Sequence, residues 1–322
     1  MKAETVTNEI LLKKYKEVEA LAPEEREKYF DSIRDHCKDR HVHKTTNDSI
    51  MNFIGRIAPH FRNFEIEVNG QENIPDDTVV FLCNHSNSHD FFTIREIFYK
   101  LNKRVTPLGA WDGLNFLSRS MFKLGDVTLI KRNDSKSKKD GILDFCSKIL
   151  NGKNGLVFGE ATWNLHPVKP MMDVKAGIAE IALVTGKAVV PTIFEYVETD
   201  DVCKKESELY KKCIVLFGKP ITISSDKGLF EQTGYLQNIM ETMRKDIWKQ
   251  EGINKNDLTP EYIRRYVNHT YLKKFKALGF TYDSKWESSY LLRKGNTIEN
   301  EYYIDAHGQF VPGIIEKKTT YL

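Results

Sequence analysis

Two histidines and an aspartate crowd into NHSNSHD (residues 84–90), directly after the apolar run 79–83. A carboxylate on one nitrogen of an imidazole fixes the tautomer and stabilises the imidazolium, so the other nitrogen can take a proton from a hydroxyl. His85 and Asp90 are five residues apart; on one continuous helix they would point roughly 140° apart. They can meet only if a turn precedes the helix that carries Asp90. Ser86, Asn87 and Ser88 favour such a helix start. The spacing therefore predicts His85 ahead of the helix and Asp90 in its first turn, folded back on the ring, with the hydroxyl supplied by a substrate. Two other readings use the same residues. His85 and His89, four apart, could bind a metal with Asp90 if both lay on a regular helix, or the polar run could cap a helix without doing chemistry. The serines argue against so early a helix, and no second cluster of metal spacing occurs, so no metal is expected.

The elements that must position these residues alternate in type. FEIEV (64–68) alternates like a half-buried strand, while TVVFLC (78–83), VTLI (127–130), GLVF (155–158), AVVPTIF (188–194) and CIVLF (213–217) are continuous apolar runs of the doubly covered kind. GILDFCSKIL (141–150) and VKAGIAEIALVTG (174–186) have helical spacing, the second closed by a glycine. This predicts an α/β fold with a largely parallel or mixed sheet flanked by helices, and ligands at the carboxyl ends of its strands. Pro191 lacks a donor for a central ladder, which places it at a strand end or bulge. RNDSKSKKD (132–140) has the composition of a solvated loop. Residues 1–60 form a helical segment, with Pro23 opening a helix. Residues 61–225 are the α/β core, and 226–322 a helical region whose tail, SSYLLRK and EYYIDAHGQFVPG, suits a hairpin.

Bulk properties narrow the class. The chain has 322 residues, 40% hydrophobic and 29% charged, with net charge +3. That is enough for a substantial core and too balanced for a nucleic-acid footprint. Five cysteines, odd in number and without metal spacing, read as free thiols of a reducing cytoplasm, and the charged N-terminal stretch does not resemble a secretion signal. No apolar run approaches the ~18–20 residues that span a bilayer.

Four blocks come in a recognisable order: NHSNSHD, LGDVTLIKR (124–132), VFGEATWN (157–164) and VVPTIF (189–194). They resemble the glycerolipid acyltransferase family, which includes lysophosphatidic acid and glycerol-3-phosphate acyltransferases and opens with N-H-x4-D. The likeness spans roughly residues 75–225. It implies that His85 is the general base, oriented by Asp90, and that an acceptor hydroxyl displaces the thiol of an acyl thioester. It further implies acceptor binding by Arg132, Lys131, Glu160, Thr162 and Trp163, with Phe158, Gly159 and Pro191 shaping the pocket. The third block departs from the family's F-P-E-G-T-R: Gly159 stands for the proline, Ala161 for the glycine and Trp163 for the arginine. Trp163 could stack on a sugar or pack on an acyl chain, and His166 and Lys169 could restore positive charge.

The expected activity is fatty acyl transfer from acyl-CoA or acyl carrier protein to a lysophospholipid, glycerol phosphate or related lipid, as in phospholipid biosynthesis. No cofactor and no nucleic acid is called for. A hydrolase using the same pair on water, and a non-catalytic lipid-binding protein, are the alternatives. The expected location is cytoplasmic. EYIRRYVNHTYLKKFKALGF (261–280) is a basic amphipathic stretch suited either to lying on the anionic inner face of a membrane or to packing on the core.

Overall fold

The computed structural model describes residues 15–39, 48–86, 89–111, 120, 122, 126–131, 134–161, 164, 170–198, 210–254, 302–304 and 310–312. Seven strands form one mixed sheet: β1 (Glu65–Asn69), β2 (Val80–Cys83), β3 (Val105–Ala110), β4 (Thr128–Ile130), β5 (Asn154–Phe158), β6 (Val189–Glu198) and β7 (Tyr210–Phe217). Their order is β1-β7-β6-β2-β5-β3-β4, and every pair is parallel except β6–β7. This is the α/β architecture expected. β2 lies at the centre, and its side chains alternate between two cores: Val80 and Leu82 enter one, Phe81 and Cys83 the other. That double burial explains why the strand is a continuous apolar run rather than an alternating one.

The helices divide between the faces. α1 (Tyr15–Glu19), α2 (Pro23–Asp39), α5 (Ser135–Leu150), α6 (Gly177–Thr185) and α7 (Leu229–Gln250) contribute buried apolar residues to the first core. α4 (Asp90–Lys100) covers the second, and α3 (Asp48–Ile57) packs on α4. The close approach of α3 to α4 depends on Gly55, where a Cβ would stand 2.8 Å from the Arg95 carbonyl oxygen. Arg62 then grips α4, donating to both oxygens of the buried Glu96 at 3.0 and 2.9 Å. Far along the chain, β8 (Tyr302–Ile304) and β9 (Phe310–Pro312) pair antiparallel, inside the stretch expected to form a hairpin.

Three expectations change. β3, carrying Pro107 and Gly109, was not foreseen. The stretch 135–140 is the first part of α5 and not a loop: Asp134 caps it, accepting from the backbone N–H of Lys136 and Ser137 at 3.0 and 3.1 Å. Pro191 lies inside β6, opposite Leu82, and not at an end or bulge. Its carbonyl accepts from Gly218 N at 2.7 Å on the β7 side. β7 ends at Phe217, so the donor a proline lacks falls where that ladder has stopped. The stretch 261–280 lies outside the described residues, and no described helix is long and apolar enough to cross a membrane.

Candidate active site

The site begins where β2 runs out. Asn84, fully buried, anchors the turn to β6: its amide oxygen accepts from Phe194 N at 2.7 Å, and its amide nitrogen donates to Phe194 O at 3.0 Å and Ser86 Oγ at 2.7 Å. The chain then turns and α4 starts at Asp90, with His89 at the N-cap. The cap is thus not one of the serines, and His89 makes no side-chain cap bond.

His85 Nδ1 stands 2.9 Å from Asp90 Oδ2, and the same oxygen accepts from Ser86 N at 2.8 Å. The aspartate side chain is wholly buried, whereas the histidine side chain is 20% exposed. A buried carboxylate holding Nδ1 leaves Nε2 as the nitrogen for proton transfer. The ring's other constraint is Phe158, at the end of β5, which stacks on it with centroids 4.2 Å apart and planes 22° apart. His89 points elsewhere: its ring meets Phe64 edge-on at 5.5 Å.

The third block wraps the same turn. Gly159 N donates to Cys83 O at 2.9 Å, and Asn164 N donates to His85 O at 2.6 Å. A Cβ on Gly159 would lie 2.5 Å from Leu82 Cδ1, so the backbone here passes close against β2. Glu160 is buried and spends both oxygens on backbone: Oε1 accepts from His85 N and Oε2 from Met172 N, each at 3.1 Å. In this arrangement it holds the histidine's peptide. Burial pushes Glu160 up to about 8, against the lowering effect of the His85 and Met172 N–H bonds and of the Arg244 charge.

Of the other expected binding residues, Arg132, Thr162 and Trp163 lie outside the described residues, as do His166 and Lys169. Lys131 is exposed at the carboxyl end of β4, the sheet's edge strand, with its backbone N–H bonded to Ser137 Oγ at 3.0 Å. Three strand spacings, ~14 Å in all, separate β4 from β2. Lys131 and His85 thus share one edge of the sheet without touching. Among the described residues no group of three His, Cys, Asp or Glu could hold a metal.

Asn84, the first residue of the N-H-x4-D pattern, is a functional residue that the spacing of His85 and Asp90 alone does not single out. Arg244, which acts on Glu160 from α7, carries no local signal at all.

Residues 65–195 match the family model described as Acyltransferase. Among solved structures, the chain is similar to the crystal structure of the 1-acyl-sn-glycerophosphate (LPA) acyltransferase, PlsC, from Thermotoga maritima. The identity is 17% and the TM-score 0.44, over 69% of this chain and 82% of that one. No curated protein matches.

Proposed function

We propose that the chain, whose residues 65–195 match the Acyltransferase family model, moves a fatty acyl group from a thioester carrier, acyl-CoA or acyl carrier protein, to a hydroxyl of a lysophospholipid, glycerol phosphate or related lipid. The observation that carries the mechanism is the 2.9 Å contact between His85 Nδ1 and the buried Asp90. Nε2 takes the proton of the acceptor hydroxyl as its oxygen attacks the thioester carbonyl. The tetrahedral intermediate collapses with cleavage of the C–S bond, and the imidazolium returns the proton to the departing thiolate. The products are an ester and a free thiol. No metal or bound cofactor enters these steps. A positioned base of this kind contributes typically ~10²–10⁴-fold.

Lys131, on the same carboxyl side of the sheet as His85, would draw an anionic acceptor towards that side. Attachment to the face of a membrane, where such acceptors reside, is part of the same proposal.

Purified protein incubated with labelled acyl-CoA or acyl carrier protein and a panel of lysolipids tests the reading, beside His85→Ala. Acylated lipid, lost in the variant, is the expected result. Free fatty acid in its place would make the enzyme a thioester hydrolase, and lipid binding without any product would make it a binding protein.

A further inference from the structure

Arg244 lies on α7, outside the 65–195 stretch, and is buried among polar partners. Its Nε donates to Glu195 Oε2 of β6 at 2.6 Å, a terminal nitrogen donates to Pro170 O at 2.5 Å, and the guanidinium stands 5.4 Å from the centroid of Trp248. Pro170 opens the segment that returns from the third block. Two residues on, Met172 N donates to Glu160, whose other oxygen accepts from His85 N. One guanidinium thus joins α7, a central strand and the segment bonded to the carboxylate under the histidine.

We propose that Arg244, clamped by Glu195, is a positioning residue for the His85 turn: it keeps Glu160 accepting from both backbone N–H groups and lets α7 govern where His85 sits. The charges on Glu160 come from several elements. Arg244 of α7 favours its ionised form, while burial and Asp90 of α4 oppose it. Glu195 of β6 faces the guanidinium and offsets part of its field, and Asp173 and Lys175 follow on the return segment. A protonated Glu160 can accept from one of the two N–H groups well but must turn its hydroxyl towards something else, so the His85 peptide loosens.

The pair has a signature that simple structural support does not. Removing Arg244 and removing Glu195 break the same ion pair, yet they change the field at Glu160 in opposite directions. Protein labelled with ¹⁵N-methionine reports this through the Met172 amide, one of seven methionines, assigned with Met172→Leu. The wild-type signal should titrate near pH 8, and Glu160→Gln should abolish that titration. Arg244→Gln should raise the midpoint by roughly one pH unit, and Glu195→Gln should lower it. Arg244→Lys should keep the midpoint near the wild-type value while kcat falls, because the charge survives and the two directed bonds do not. The acidic limb of kcat/KM for acyl transfer should follow the amide midpoints. The activity arm rests on the acyl-transfer reading; the amide arm does not. Midpoints that shift as expected in a protein transferring no acyl group would sink that reading and leave the coupling standing. Turnover with midpoints that stay put, or move the same way in Arg244→Gln and Glu195→Gln, in proteins that melt cooperatively, would overturn the coupling.

Discussion

One oxygen of Asp90 accepts from both the His85 ring and the Ser86 backbone, so orienting the base and starting α4 are the same event. Asp90→Asn keeps the shape but offers an amide where a carboxylate stabilised the imidazolium. The expected outcome is a fall in kcat of ~10²–10⁴-fold with KM little changed; a variant within a few-fold of wild type in steady-state transfer would remove Asp90 from the mechanism. A second residue stores strain. Ala161 follows Glu160 with φ +55°, a left-handed conformation, and its methyl is exposed. The related pattern has glycine there, and a non-glycine residue in this region costs roughly 1–2 kcal/mol. Ala161→Gly loses no packing, though glycine's freer unfolded chain takes back about 0.4–1 kcal/mol. It should therefore stabilise by about 0.5–1 kcal/mol in urea unfolding, and a loss of stability would show that the strain is not real.

At the scale of elements, the site is a junction between β2, β6, β5 and α4, and Asn84 is the rivet of its first two members. Asn84→Ala leaves the N–H and C=O of Phe194 without their partners at a position closed to water. Orphaned groups cost ~1–3 kcal/mol each, so a loss of about 2–6 kcal/mol is expected in urea unfolding; a loss under 1 kcal/mol would mean β6 holds the turn without it. The apolar runs made most of this junction legible, because a doubly covered strand must be apolar at every position. β3 escaped because Pro107 and Gly109 look like chain breakers. In the sheet Pro107 turns its missing donor towards β4, which joins the ladder only from Leu108. Residues 135–140 escaped because a charged run looks solvated, yet Asp134 gives that run a helix cap. The His85–Asp90 approach was legible from spacing and cap chemistry. The burial of Glu160 was not, since nothing local tells a carboxylate at a strand end whether backbone amides or an acceptor will meet it. Arg244 was further still from view: only the docking of α7 against β6 brings it to the site.

Across the whole molecule, the two flanks share the core of the 65–195 stretch: Phe30 and Ile33 of α2 and Leu236 and Met240 of α7 enter the same apolar cluster as β2. Burial on that scale strands acids as well as covering hydrocarbon. Glu180 of α6 is partly buried beside this core, and desolvation pushes it up to about 7 despite a hydrogen bond from Tyr15 of α1; Glu160 is raised to about 8. Both lie above the usual 4.5. Between that value and their own, the folded protein holds protons that the unfolded chain has released. Stability from these two groups is therefore full below about 4.5 and falls as pH rises towards 7 and 8. Glu96 works in the other direction: burial would raise it, but the bonds from Arg62 and Lys100 outweigh this and hold it low, so its contribution is lost on acidification, below this window. Glu180→Gln isolates one member, since its amide oxygen can still accept from Tyr15 and it has no charge to bury. At pH 5 the variant should melt close to wild type. By pH 8 it should be more stable by up to about 3 kcal/mol, or about 2–4 °C in Tm for each kcal/mol. Thermal melts of the two proteins from pH 5 to 8 decide it: curves that diverge and level off above about pH 7 confirm that folding holds Glu180 neutral below that pH, and parallel curves would mean that its charge is already accommodated in the folded protein.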